Sequence, residues 1–187
     1  MAKKKPVRRP YERIKRTVKS NGGIRPTSQI RGIGLHTTEG YDQKGISDLE
    51  GLGDYFNRVQ ASSNVAVDGE GYSARYVPDN RKAWTQAAYN GQLLSVEQIG
   101  FSKWSRWFWI NRRDKQLQKT AKYIAYWSHK YGIPIRKGKA SGGVITKTGV
   151  LRHSELGAAG GNHGDPGPGY PLHTVLQMAR KYKKEGW

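Results

Sequence analysis

Apolar residues fall into blocks whose period changes along the chain. Ile30 to Thr37 reads as a strand that enters the core. Leu49, Leu52, Phe56 and Val59 then recur at helical spacing. Ser47 and Glu50 have the form of a capping box, so an amphipathic helix is expected over 48–60. Ser62 to Val67 alternates and meets Asp68-Gly69, a hairpin signal, and Tyr72 to Val77 reads as the returning strand. Leu93 to Ile99 predicts another strand, with Glu97 inside it. Leu117, Ala121, Ile124 and Tyr131 share one face of the longest helix, expected over 114–131 and stopped by Gly132-Ile133-Pro134. A short strand is expected within 144–152, leading to His153. A last helix is expected over 172–183, with Leu172, Val175, Leu176 and Ala179 inward. Strands mixed with helices indicate an α/β or α+β chain. The hairpin makes its sheet mixed rather than all parallel. The fold expected is α/β: a single domain with a central mixed β-sheet flanked by helices.

The length of 187 residues suits one domain with a proper core, and hydrophobic residues at 35% suffice because they are periodic. The stretch before the first block departs from that pattern. Residues 1–19 form a basic arm with Pro6 and Pro10, expected to move freely or lie on the surface. Ser20-Asn21-Gly22-Gly23 marks its boundary with a domain over 20–187.

Charge narrows the partners. Lys and Arg number 33 against 14 Asp and Glu, a net charge of +19, which favours a polyanion. Nucleic acid, an anionic cell wall and a membrane surface all qualify. The chain has no cysteine, which excludes disulfides, thiolate metal sites and a Cys nucleophile. No stretch is apolar and long enough to span a membrane. The basic start is not followed by the apolar region of a signal peptide, so synthesis in the cytoplasm without an export signal of its own is expected.

Candidate chemistry is scattered. His36 ends the first apolar run, His153 follows more than a hundred residues later, and Asp165 lies in Asn162-His163-Gly164-Asp165-Pro166-Gly167. Two imidazoles and one carboxylate are a ligand set for zinc with an open position, where water can be activated. The Gly-rich loop 157–164 can fold back and bring His153 and Asp165 to one ion. On spacing alone, ordinary surface or core residues account for the three better than a metal site does. Phe101, Trp104, Trp107, Phe108 and Trp109 alternate with Lys103 and Arg106. Such a segment can stack on sugars or nucleobases, sit at a membrane interface, or simply pack under the long helix. Gly138-Lys139-Ala140-Ser141 lacks the earlier glycine of a phosphate loop, and no Gly-x-Ser-x-Gly elbow is present.

Several segments together carry a resemblance. They are Gly34-Leu35-His36-Thr37-Thr38, Ser62-Ser63-Asn64-Val65-Ala66-Val67-Asp68, Tyr76-Val77-Pro78 with Ala83-Trp84, Ser95-Val96-Glu97, Arg152-His153-Ser154-Glu155-Leu156, and His163-Gly164-Asp165-Pro166-Gly167-Pro168. In this order, over roughly residues 29–182, the chain resembles the zinc-dependent N-acetylmuramoyl-L-alanine amidases, which include phage endolysins and peptidoglycan recognition proteins. The resemblance implies Zn2+ held by His36, His153 and Asp165, with Glu97 as general base. His163 stands where many members carry a Lys thought to stabilise the oxyanion. A Tyr used by some members is replaced by Ser63, so the base role falls on Glu97. Asn64 stands where several members have His. Trp84 and Asn64 are assigned to the substrate groove, with a core role the alternative for Trp84.

The function implied is hydrolysis of the amide between N-acetylmuramic acid and L-alanine in peptidoglycan, by a phage endolysin that lyses its host. Peptidoglycan and anionic wall polymers are the expected partners, with no specific nucleic acid, no transmembrane segment and a monomeric state. The alternatives are a non-catalytic peptidoglycan-binding module on the same fold and a basic nucleic-acid-binding protein.

Overall fold

Alternation along the strands sorts their side chains onto two faces of one sheet. The computed structural model describes residues 7–40 and 45–187. The strands are β1 (Ile14–Lys15), β2 (Gly32–Thr37), β3 (Val65–Val67), β4 (Ser73–Arg75), β5 (Leu93–Gln98), β6 (Lys139–Ser141), β7 (Val144–Lys147) and β8 (Gly149–Arg152). The helices are α1 (Ile46–Arg58), α2 (Arg106–Arg112), α3 (Asp114–Tyr131) and α4 (Leu172–Lys184). Six strands make one sheet in the order β1-β4-β3-β5-β2-β8, and β6 with β7 makes a separate hairpin. β2 is parallel to both neighbours, β5 and β8, and β3 is parallel to β5. β4 is antiparallel to β3, so the sheet is mixed as the hairpin signal requires.

One face carries Ile33, Leu35, Val65, Val67, Leu94, Val96 and Val150, all buried against Leu117, Ala121, Ile124 and Trp127 of α3 and Val175 and Ala179 of α4. On the other face Ala66, Ala74 and Tyr76 pack against Leu49 and Phe56 of α1. Gly34, His36 and Glu97 share this second face by the two-residue period. One side of the sheet is therefore sealed by two helices, and α1 covers only part of the other.

Backbone geometry moves several boundaries away from the sequence pattern. α1 starts at Ile46 behind Gly45, whose φ of 92° suits glycine, so Ser47 lies inside the first turn and caps nothing. The chain leaves the helix at Val59 in an extended conformation, which removes Val59 from the helical face. The expected single strand within 144–152 is two strands, because Gly149 breaks it at φ 154°. A Cβ at Gly149 would overlap the Arg136 carbonyl, so only glycine allows β8 to turn into the main sheet.

The described part of the basic arm joins the sheet. β1 pairs with β4 in parallel, Val18 is buried, and Glu12 accepts Arg75 Nε and Arg9 Nη2, each at 2.7 Å. The first six residues of the arm lie outside the described residues.

A buried polar centre lies between the sheet and α3. Asp79 accepts Arg75 Nη1 at 2.6 Å, Lys130 Nζ at 3.0 Å, Tyr131 OH at 2.8 Å and Trp127 Nε1 at 3.2 Å. Burial works to raise the Asp79 carboxyl, but Arg75 and Lys130 outweigh it and hold it below its ordinary range. Arg25, fully buried, donates to the carbonyls of Asp79, Asn90 and Leu93. Its burial pushes the guanidinium down to about 10, still charged at neutral pH. Asp79→Ala leaves Arg75 with Glu12 alone and the buried Trp127 Nε1 without its acceptor, and should cost about 1–3 kcal/mol in urea unfolding at neutral pH. The folded carboxyl titrates below the unfolded one. Its contribution is therefore present above about pH 4 and is lost as pH falls through the folded value. The gap between wild type and variant should accordingly close in acid.

Candidate active site

Three parallel strands deliver the chemistry to one edge of the sheet. His36 is the fifth residue of β2, and its Cα partner on β5 is Glu97, so the two side chains stand next to each other on the open face. β8 ends at Arg152, and His153 follows at once in a single 3-10 turn. These are the carboxyl ends of the strands, where open α/β sheets leave a crevice for ligands. Asp165 comes from the returning loop. Its carbonyl accepts Ser154 N at 2.7 Å, and its Oδ2 accepts Thr37 N at 3.1 Å. Residues scattered over the sequence are thus brought together: ligand atoms of His36, His153 and Asp165 all lie within 4.8 Å of one another, and all three residues are buried.

The outer ring nitrogens fix the tautomers. His153 Nε2 faces the Gly160 carbonyl at 2.8 Å, and a carbonyl can only accept. His36 Nε2 faces Gln86 Oε1 at 2.9 Å, and the Gln86 amide is oriented by its own donation to Leu93 O at 3.1 Å. Both rings therefore carry their proton on Nε2. In the neutral rings the two Nδ1 lone pairs face each other at 3.0 Å. Such an arrangement repels itself unless a cation lies between. Asp165 Oδ1 lies 3.2 Å from His153 Nδ1, and Oδ2 lies 3.7 Å from His36 Nδ1. Ligands about 2.0–2.1 Å from a tetrahedral zinc stand roughly 3.3 Å apart, so this donor set fits a zinc ion with one position open. Second partners of the kind that orient metal-binding imidazoles are already in place.

Burial and then the neighbouring His153 push His36 down to about 3, so it is neutral at ordinary pH. Asp165 is held below its usual range: burial opposes this, but the His153 hydrogen bond and the His36 ring prevail. Glu97 goes the other way. Burial first, then the charges of Asp165 and Glu39, push its carboxyl well above the ordinary value. Its Oε2 is buried with no hydrogen-bond partner among the described residues. An orphaned oxygen at a cleft floor is poised to take a partner from outside the chain.

The cleft above the site has a volume of about 590 Å³ and is lined by Tyr55, Trp84, Glu97 and His163 among others. His163 stacks on His153, with ring centroids 4.3 Å apart and planes 15° off parallel, and its side chain is 58% exposed at the mouth. Trp84, 37% exposed, forms part of the cleft wall rather than the core. Asn64 does not reach the cleft. It is fully buried, donates to Val77 O at 3.1 Å and accepts Ser95 N at 3.0 Å, so it spends its amide on joining strands. A short polar residue with both amide ends satisfied by backbone has nothing left for a ligand.

Gln86 and Glu39 are not marked by any sequence pattern. Gln86 stands beside Ala87, where the φ of 45° is unusual for a residue with a side chain, and its backbone is held by Asn90 Oδ1 at 2.8 Å. A Cβ at Gly34 would overlap Gln86 Oε1 and crowd His36 Nε2, so that glycine is the one trace of Gln86 in the sequence. Glu39, also left-handed at φ 54°, accepts Ser102 N at 2.7 Å and Thr37 Oγ1 at 2.6 Å beside the cleft.

Residues 26–168 match the model of the N-acetylmuramoyl-L-alanine amidase family. No curated protein matches the chain. The Staphylococcus aureus hydrolase AmiA, solved in complex with its ligand, is 17% identical, with 93% of this chain and 87% of that one aligned at a TM-score of 0.66. The endolysin N-acetylmuramoyl-L-alanine amidase LysCS from Clostridium intestinale is 11% identical over 91% of this chain and 98% of that one, at 0.62. A selenomethionine derivative of AmpD is 14% identical over 91% and 94%, at 0.60. At such identities these likenesses establish the fold. The family match spans well over half of the residues and reaches from before β2 to beyond Asp165: the chain belongs to the N-acetylmuramoyl-L-alanine amidase family.

Proposed function

We propose that this chain is a zinc-dependent peptidoglycan hydrolase that cleaves the amide between the lactyl group of N-acetylmuramic acid and L-alanine. The observation that carries the reading is the pair of buried imidazoles turning their Nδ1 atoms toward each other and toward Asp165, beside Glu97. His36 Nδ1, His153 Nδ1 and Asp165 are the residues that hold the metal. When bound, zinc supplies an acidified water and a Lewis acid for the scissile carbonyl.

The remaining chemistry belongs to side chains. Glu97 takes a proton from the attacking water and returns it to the alanine nitrogen as the C–N bond breaks. The charge that develops on the carbonyl oxygen meets a donor from His163, whose exposed ring can turn over the cleft mouth. Trp84 and Tyr55 give the sugar and the stem peptide flat apolar surfaces. Gln86 is a positioning residue, holding His36 in the tautomer that faces the metal. The net charge of +19 holds the enzyme on anionic wall polymer. Hydrolysis of the wall during phage lysis of a host, by a monomer made in the cytoplasm, is the setting in which we place this activity. The similarity of the fold to endolysins supports it.

A digest of purified peptidoglycan, with and without a chelator, tests the reading directly. Free alanine amino groups should appear only with metal present, and His36→Ala should lose both bound zinc and turnover. New reducing sugars without new amines would sink it. Glu97→Gln should retain zinc and lower kcat by about 10²–10⁴-fold. The same variant should stabilise the chelated protein at about pH 7. A carboxyl raised in the fold destabilises increasingly as pH rises above its unfolded value of about 4.3, so the two proteins should converge near pH 4. Gln86→Leu should weaken zinc binding by about 10–100-fold in a chelator competition, with the fold intact by circular dichroism.

A further inference from the structure

The aromatic segment before α3 is only half used by the core. Trp109 is fully buried, with its ring centroid 5.1 Å from both Trp104 and Tyr170. Trp104 is covered in turn by the Arg113 guanidinium, 4.6 Å from its centroid. These rings anchor α2 to the domain, and Ser105 Oγ caps the helix by accepting Phe108 N at 3.2 Å. The other side of α2 is turned outward. Trp107 is 61% and Ile110 38% exposed, three residues apart on one helical face. Among the described residues, α2 is the one helix that exposes two large apolar side chains. Lys103, Arg106 and Arg112 are exposed around them, and residues 101–113 contain no acid. Arg106 reaches Thr174 of α4 at 3.1 Å, and Asp114, the next acid along the chain, accepts Gln118 Nε2 behind the helix.

We propose that the exposed face of α2 docks on an anionic lipid bilayer. A soluble polyanion offers phosphates to the cations but no apolar phase to Ile110. A bilayer offers both, with headgroup phosphates at the level of Arg106 and Arg112 and the acyl boundary beneath them for Trp107 and Ile110. The net charge of +19 draws the molecule to such a surface, and α2 sets two exposed large apolar side chains among exposed cations. The surface adjoins the cleft: Ser102, in the turn before α2, donates its N–H and its hydroxyl to Glu39 at 2.7 and 3.0 Å. Docking in this way leaves the amidase reading untouched, since no residue of the face lines the cleft.

Flotation of the intact protein with phosphatidylcholine vesicles, with and without phosphatidylglycerol, tests the proposal. The protein should float only with the anionic vesicles. The double variant Trp107→Ala/Ile110→Ser should bind them on the order of tenfold more weakly while binding soluble polyphosphate as the parent does. Both side chains are exposed, so the variant should keep the parent's unfolding midpoint, which separates lost docking from lost fold. Arg106→Gln/Arg112→Gln should weaken vesicle binding as well. Undiminished flotation of the apolar double variant would overturn the proposal, because charge elsewhere would then suffice. An equal loss on polyphosphate would also overturn it, assigning the face to a soluble polyanion instead.

Discussion

The arrangement rests on β2 lying between two parallel strands in one register. That register puts His36 against Glu97 on one side and brings the end of β8 alongside, so that His153 emerges next to His36. A slip of one residue would turn His36 into the α3–α4 core and Leu35 into the cleft. The apolar set Ile33, Leu35, Leu94, Val96 and Val150 forbids such a slip, because each of these side chains would lose its burial. Packing on one face of the sheet thus fixes the chemistry on the other.

The site is held from behind by a connected set of buried polar groups. Arg25 donates to Asn90 O and Leu93 O, Asn90 Oδ1 holds the backbone of Gln86, and Gln86 shares Leu93 O while it orients His36. A buried guanidinium at the base of the sheet is therefore connected to the tautomer of a ring at its edge. Conformational strain gathers at the same place. The non-glycine residues with positive φ among those described are Glu39, Ala87 and Asn162. Two of them line the cleft, and the third precedes His163. Left-handed backbone of this kind costs about 1–3 kcal/mol per residue and persists where surrounding contacts over-determine it.

Electrostatics divides the molecule in two. Outside, cations dominate and give +19 overall. Inside the cleft, Glu39, Glu97 and Asp165 meet three imidazoles, with Glu97 raised and Asp165 lowered by surroundings only a few ångströms apart. Two carboxyls whose environments push them in opposite directions are suited to different work, one to hold a cation and one to carry a proton.

Much of this was legible in the sequence, and the boundary follows from the range of the forces. Periodicity marked β2, β5, α3 and α4, since these bury broad apolar faces that leave a local record. The helix start at Ile46, the break at Gly149 and the docking of the arm through β1 left no such record, because backbone geometry and a distant strand edge decide them. Family resemblance singled out His36, His153, Asp165, Glu97, His163 and Trp84, all of which line one cleft. It misplaced Asn64, since a buried amide and a ligand-facing one look alike until the carbonyls around them are known. Gln86 was invisible for the same reason: its function lies in what its Oε1 faces. The sequence by itself determined the class of fold, through local period, and it pointed to the residues able to hold a metal only through the resemblance that several segments carry together. Which ring nitrogens face Asp165, and which carboxyl is raised and which lowered, only the tertiary structure decided, because both depend on partners that the chain brings in from far away.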